Sequence, residues 1–444
     1  MEKTCRLYPA PKGAPLYEGL TFFVNDDACD IYEVRVNESR RWQPDFNPPT
    51  TTAPMAYFDF EGEAELRIET EQKLRSAVIR PLRENIPFII DGNVLKFKIE
   101  RPGPYIVELD GKVHGAFMIF ANPMETDAPQ PGEKDVIYYG PGIYEEDEPV
   151  MVPSGKTLYL AGGAVLRGMV RAENAENITI RGRGIVDGSK FNTWGGSNGL
   201  FPIDITGVSN VEVSGVSILD SNCWNCEVRR SSQVRFDNIK IVSARPNGDG
   251  ISIQSSDNVY IDNSFIRTWD DGIVVKNYAS NNSHDIYANN CVLWTDLAQS
   301  MEIGVETNAQ YDGANSSPKI YNVEFKNIDV IHAMHKAPIS IHNGDNAEIY
   351  DIKWENVVIE DLHTGQGDGW AYWLDFTNVH ASNLGNAGWT HVDARGTVHD
   401  IYLTNISVVE NKSVPTDGSG YRIWANNGEA DMWGWHLNNA YTWK

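Results

Sequence analysis

Asn247-Gly248-Asp249-Gly250-Ile251-Ser252-Ile253, followed by Trp269-Asp270-Asp271-Gly272-Ile273-Val274-Val275, states one pattern twice: carboxylate, glycine, then aliphatic residues at every second position. Asp270 and Asp271 follow Asp249 by 270 − 249 = 21 and 271 − 249 = 22 residues. Aliphatic residues at alternate positions mark a strand with one buried face. If that interval is one turn of a coiled sheet, Asp249 stacks beside the pair.

The same phrase runs from about residue 156 onward. It reads Asn177-Ile178-Thr179-Ile180, Asn210-Val211-Glu212-Val213, Gln233-Val234-Arg235-Phe236, Asn258-Val259-Tyr260-Ile261, Asp285-Ile286-Tyr287-Ala288, Asn322-Val323-Glu324-Phe325, Asp351-Ile352-Lys353-Trp354 and Asp400-Ile401-Tyr402-Leu403. The aliphatic leaders lie 33, 23, 25, 27, 37, 29 and 49 residues apart. Units this short bury an apolar face only by stacking on their neighbours. The expectation is an all-β chain: a right-handed parallel β-helix of roughly nine to eleven coils, its longer intervals carrying insertions or a skipped rung. A β-propeller is the competing architecture, but its blades need about 40 residues and four strands each. Asparagine recurring at one phase suits bends that require the left-handed backbone conformation.

Residues 1–133 lack the repeat. Phe88-Ile89-Ile90, Asp91-Gly92-Asn93 and Val94-Leu95-Lys96-Phe97-Lys98-Ile99 read as a hairpin. A small antiparallel β-sandwich domain is expected over 1–133. The catalytic β-helix is expected over 134–444, with Asp127-Ala128-Pro129-Gln130-Pro131-Gly132 as the linker.

Of the 444 residues, 61 are acidic and 37 basic, for a formal net charge of −24. That balance disfavours nucleic acid and anionic membranes as partners, since both are held by cationic patches. No run approaches membrane-spanning length. Met1-Glu2-Lys3-Thr4-Cys5-Arg6 leads into polar sequence rather than an apolar core segment, so no signal peptide is read. This points to the cytoplasm, or to a protein whose leader has been removed. Cys5, Cys29, Cys223, Cys226 and Cys291 have no framework spacing; one isolated CxxC makes no zinc site, and packing cysteines are expected.

An aspartate beside glycine is ordinarily a turn residue, and Asp59, Asp187 and Asp345 are read so. Asp249, Asp270 and Asp271 differ because all three enter the same strand of successive coils, about 4.8 Å apart. Carboxylates at that spacing cannot all ionise freely. A protonated one can donate to a leaving glycosidic oxygen while ionised partners activate water. This chemistry needs no metal and no cofactor.

In order and spacing, Asn222-Cys223-Trp224-Asn225, Asn247-Gly248-Asp249-Gly250 and Asp270-Asp271-Gly272 resemble the active-site coils of glycoside hydrolase family 28, the polygalacturonases and relatives. The resemblance implies an inverting three-aspartate glycosidase, with Asp270 as general acid and Asp249 and Asp271 activating water. Two departures stand out. Gln299-Ser300-Met301-Glu302 occupies the place of the family's G-H-G, and Ser340-Ile341-His342 that of its cationic R-I-K. They turn the expectation toward a neutral glycan, as in the sister family 49 of dextranases and isopullulanases. That family is similar in its β-sandwich and in the entry Asp135-Val136-Ile137-Tyr138-Tyr139-Gly140-Pro141-Gly142. A pectin-type hydrolase is the alternative within the class; a polysaccharide lyase and a non-catalytic carbohydrate-binding β-helix lie outside it.

Sugar binding calls for flat apolar faces and bidentate polar groups. The substrate-binding candidates are Asn222, Trp224, Asn247, Trp269, Lys276, Glu302, Glu306, His342 and Asn343, with Trp294, Trp370, Tyr372 and Trp373 as further aromatic candidates. Arg245 and Lys276 are expected to flank the carboxylates, and the tail with Trp424, Trp433, Trp435 and Trp443 to cap the last coil. The partner implied is a polysaccharide or oligosaccharide; oligomeric state has no signal in the sequence.

Overall fold

The computed structural model describes residues 4–38, 49–191, 201–278, 281–308, 316–363, 372–379, 394–412, 420–425 and 432–443. From Val136 on, every strand pairing is parallel, and the chain winds as a right-handed parallel β-helix. One flank is a sheet of ten short strands, from Val150–Met151 to Tyr421–Ala425. The rest is an 18-strand set to which each early coil gives two strands and each of three later coils gives one strand of 15 residues.

The residues that lead the sequence repeat are the ones that turn the chain. Asn177, Asn210, Gln233, Asn258, Asp285, Asn322, Asp351 and Asp400 all hold φ between 52° and 59°, the left-handed region that asparagine and aspartate tolerate best. A second series, Asn238, Asn263, Asn290, Asn327, Asn356, Asn405 and Asn439, lies between 49° and 55°. Its amides stack: Asn290 Nδ2 donates to Asn263 Oδ1 at 2.7 Å, Asn356 to Asn327 at 3.1 Å and Asn405 to Asn356 at 3.0 Å. Between the bends the aliphatic residues point inward and form one continuous core from Val152 to Met432.

The intervals of 33, 37 and 49 residues are single coils, because Ile178 pairs directly with Val211, Ile286 with Val323 and Ile352 with Ile401. The extra residues are insertions, and no rung is skipped. The aromatic tail is itself the last rung rather than a cap over it: Met432–Trp443 pairs with Thr397–Asn411.

Strands between Thr4 and Pro123 form a six-stranded and a five-stranded sheet around a shared core that includes Phe22, Phe58, Leu66, Phe97 and Phe117. Their pairings are antiparallel except for Thr50–Glu61 with Phe117–Pro123, which is parallel. The expected hairpin is present, with Asp91 opposite Val94 and Gly92 at φ +64°. No strand lies between Pro123 and Val136.

The six-stranded sheet packs its outer face on the β-helix, Tyr32, Tyr57, Ile106 and Met118 sharing a cluster with Val165, Phe265, Trp294 and Ile331. Asp59 is no turn residue: it is fully buried in Thr50–Glu61 and accepts from Arg183 Nε at 2.7 Å and Tyr8 Oη at 2.8 Å. All five cysteines are free; Cys226 lies in the helix core and Cys29 in the core of the N-terminal sheets.

Candidate active site

Strands Cys226–Arg229, Ile251–Gln254, Ile273–Lys276 and Met301–Val305 are consecutive in the ten-stranded sheet, with Cys226, Ile251, Ile273 and Met301 in register. Backbone bonds carry that register into the preceding bend: Asn225 N donates to Asp249 O, Gly250 N to Asp271 O and Gly272 N to Gln299 O, each at 2.8 Å. Trp224, Asp249, Asp271 and Gln299 are therefore neighbours on four successive coils. Side-chain oxygens of Asp249, Asp270 and Asp271 lie within 4.8 Å of one another. The glycines explain the closeness. A Cβ on Gly250 would stand 2.3 Å from the carbonyl oxygen of Gly272, and one on Gly272 would stand 2.6 Å from that of Ser300. Each Asp-Gly pair therefore serves close stacking of coils rather than an isolated turn.

The three acids sit in different surroundings. Asp249 is 2% exposed, while Asp270 and Asp271 are half-buried. Asp249 Oδ2 accepts from Ser252 Oγ at 3.1 Å and faces Lys276 Nζ at 3.2 Å. Burial outweighs Lys276, and with Asp270 and Glu306 it pushes Asp249 up to about 7. Asp270 accepts two backbone N–H groups, from Asn247 at 3.2 Å and Asp271 at 3.1 Å. Burial still raises its pKa, against the charges of Lys336 and Lys276. Among the described residues Asp271 accepts only the Gln299 N–H, at 3.1 Å. Burial, then the charges of Asp249, Asp270 and Glu302, hold its carboxyl well above the usual range. Among the described residues these three are the one set of potential ligands close enough to share a cation.

Around them stand most of the residues singled out in the sequence. Lys276, 4% exposed, bridges Asp249 and Glu306 Oε2 (3.4 Å), and its ammonium lies 4.7 Å from the ring centroid of half-buried Trp224. Glu306 also accepts from Tyr278 Oη at 2.8 Å. Glu302 Oε1 is 2.7 Å from His342 Nδ1, and His342 Nε2 is 3.2 Å from Asp375 Oδ2, which Arg422 binds in turn. Burial would lower the pKa of His342, but Glu302 and Asp375 hold it at about 10. The imidazole is a cation at neutral pH, in the place where Ser340-Ile341-His342 showed no Lys or Arg. Its Nδ1 is also 3.3 Å from Gln299 Nε2, so the coil after the missing G-H-G histidine supplies an imidazole of its own. Among the described residues neither amide atom of Asn222 finds a partner, although Asn222 is only 1% exposed.

Other candidates lie elsewhere. Trp269 is 1% exposed and Trp294 0%, so neither offers a face to a sugar. Asn343 ends the strand Ile339–Asn343 and braces the turn after it: its Oδ1 accepts from Thr307 Oγ1 at 2.7 Å and its Nδ2 donates to Ala347 O at 2.8 Å. Arg245 does not touch the acids; it pairs with Asp220 at 3.5 Å and binds the carbonyls of Ser189 and Phe191. Trp373 is buried, Tyr372 half-buried, and Trp370 falls outside the described residues. Sequence reasoning named Gln299 only as a departure from the G-H-G motif, and it passed over Tyr278, Lys336, Asp375 and Arg422. Register alone could have found Gln299, because it sits 299 − 271 = 28 residues beyond Asp271, one coil on.

Residues 161–367, which contain all three acids, match the model of glycosyl hydrolases family 28. Over that segment, a little under half of its length, the chain is similar to the family 28 glycoside hydrolases. It is 23% identical over 351 residues to endopolygalacturonase D of Aspergillus niger, covering 76% of this chain and 60% of that one. It is 22% identical over 268 residues to an exopolygalacturonase of Arabidopsis thaliana, covering 55% and 57%. The chain thus spans less than two thirds of the length of these curated relatives. Among solved structures it resembles Dex49A from Penicillium minioluteum (TM-score 0.59, 14% identity, 97% of this chain and 96% of that one). It also resembles endo-xylogalacturonan hydrolase from Aspergillus tubingensis (TM-score 0.50, 15% identity, 69% and 84%). These likenesses show the shared fold.

Proposed function

We propose that this family 28-like chain hydrolyses glycosidic bonds of an acidic, pectin-type polysaccharide. The observation that carries the reading is the knot of three carboxylates at one phase of adjacent coils, on the outside of the solenoid and partly open to solvent. Such crowding works against stability, so its use is chemical. The acidic substrate replaces the neutral glycan expected from the sequence. The curated relatives are polygalacturonases, and the charges of Lys276, Lys336 and His342 act in the site, where the sequence had offered Arg245 and Lys276.

Hydrolysis breaks the bond between the anomeric carbon and the bridging oxygen. Water supplies a hydroxyl to the carbon, and a carboxyl supplies a proton to the departing oxygen. The resemblance gives that proton to Asp270. The surroundings favour Asp271, which has one N–H donor and three anionic neighbours, whereas Asp270 has two N–H donors that stabilise its ionised form. Asp249 and Asp270 then hold and deprotonate the water. The oxygens are closer than the about 6.5–9.5 Å that admits a water between acid and base in most inverting glycosidases. Inversion here therefore places the water at the open edge of the cluster. Asn222 has free hydrogen-bonding capacity for a sugar hydroxyl, and Trp224 has a partly open face.

The test is reducing-sugar release from polygalacturonan, xylogalacturonan, rhamnogalacturonan, dextran and pullulan, with proton NMR of the first-formed anomer. Release from a galacturonan with inverted anomer is expected. Release from dextran or pullulan alone would restore the neutral-glycan reading, and an ultraviolet-absorbing unsaturated product would make the chain a lyase. Inertness on every polymer would leave a binding module.

A further inference from the structure

We infer that this hydrolase is end-acting: it takes the terminus of its polysaccharide into a closed pocket at the aspartates and releases one short product per encounter. The inference rests on the hydrolase reading above and adds the mode of attack. The curated relatives include both endo- and exo-acting enzymes, so the comparisons do not choose between them.

The floor of the ten-stranded sheet decides it. Registered pairing aligns one outward-facing residue per coil, from Asp204 through Glu227, Ser252, Val274, Glu302 and Ser340 to Asp375. Seven coils at about 4.8 Å make a strip about 29 Å long, room for several sugar units. An enzyme that cuts inside a polymer has to seat units along such a strip on both sides of the cleaved bond. Here none of the seven residues exceeds 6% exposed, and six are at 0–2%.

The strip is roofed on both sides of the acids. On one side Trp224 stacks on Phe201 (5.5 Å between centroids, 10° between planes), meets the edge of Tyr278 at 6.1 Å and lies over Lys276. On the other side Arg422 binds Asp375 and lies against Tyr372 at 5.1 Å and Trp424 at 5.9 Å. The charged groups under the roof already have partners. Glu227 accepts from Gln254 at 2.9 Å, and His342 touches both Glu302 and Asp375. Beside the acids the half-open residues are Trp224, Asn247, Asp270 and Asp271, at the bend before the strands, while Tyr372, Arg422 and Trp424 show solvent only the outer side of the roof. Among the described residues, an opening at the bend with a covered floor admits a chain end and leaves no through-groove.

The experiment follows viscosity, reducing ends and product sizes together on polygalacturonan, and compares rates on galacturonate oligomers of defined length. A single short product from the earliest time, with viscosity falling only in proportion to bonds cut, is expected. So are short oligomers hydrolysed at least as fast as the polymer. A ladder of oligomers with an early collapse of viscosity would overturn end attack while leaving the hydrolase reading intact. Absence of reducing ends from every glycan in the panel above would overturn both.

Discussion

At the scale of residues, Asp249, Asp270 and Asp271 are held together at an electrostatic cost, and removing one of them separates catalysis from stability. Asp270→Asn and Asp271→Asn are each expected to slow turnover at least about 10²-fold, the usual size of an acid–base contribution. Thermal melts should move the other way for Asp271→Asn. A carboxyl whose folded pKa is raised gives its stabilisation fully below the unfolded value near 3.9 and loses it as pH rises through the folded one. The variant should therefore melt higher than wild type at pH 8, with the difference shrinking toward pH 4. An equal shift at both pH values would argue against the crowding. The wild-type rate should rise as pH rises through about 7, where Asp249 loses its proton and can take one from water, and fall at higher pH as the raised Asp271 carboxyl loses the proton it donates. Lys276→Gln removes the charge that most lowers the pKa of Asp249, so the acidic limb of its pH–rate profile should move upward.

At the scale of elements, each coil depends on close approach at the bends and on apolar filling between them. Gly272→Ala puts a Cβ 2.6 Å from the carbonyl oxygen of Ser300, backbone that cannot step aside without shifting Asp271. It should reduce the rate with little change in far-ultraviolet circular dichroism; an unchanged rate would show that the coil spacing does not set the carboxylate geometry. Ile253→Ala, in the middle of the helix core, is expected to cost about 2–5 kcal/mol in denaturant melts. The bends were visible in the sequence because asparagine and aspartate are the residues that bear positive φ. The second asparagine series went unread because it lies inside segments that look like plain strand.

At the scale of the molecule, the N-terminal sheets are joined to the solenoid by buried charge as well as by apolar surface. Arg80 Nε meets Glu108 at 2.6 Å and Arg80 Nη1 meets Glu360 at 2.9 Å, while His332 sits between Glu108 (2.7 Å) and Asp361 (2.9 Å). Burial opposes the ionised forms of Glu108 and Asp361. Bonds from His332 to both, from Arg80 to Glu108 and from His363 and Lys412 to Asp361 outweigh it and hold both below the usual range. Their stabilisation is present above the unfolded pKa near 4 and is lost as pH falls below it. Glu108→Gln leaves Arg80 and His332 short of a partner and should cost about 3–5 kcal/mol. Melting temperature from pH 7 to pH 3 should fall less steeply in that variant than in wild type. Matching slopes would remove Glu108 from the account.

The sequence by itself determined the coil. A polar bend residue, an alternating strand and a return after 23 to 29 residues leave one economical way to bury the aliphatic face, and that winding brings Asp249 beside Asp270 and Asp271. The tertiary structure decided what local patterns do not encode. It buried Trp269, committed Asn343 to bracing a turn and moved Arg245 away to Asp220. It supplied Gln299 and the His342 imidazolium, and it closed the sheet floor over the strip beside the acids. The physical reason is range. Alternation and bend chemistry act over a few residues and can be read along the chain. Burial, ion pairing and roofing depend on residues tens to hundreds of positions apart, which meet only when the coils are stacked.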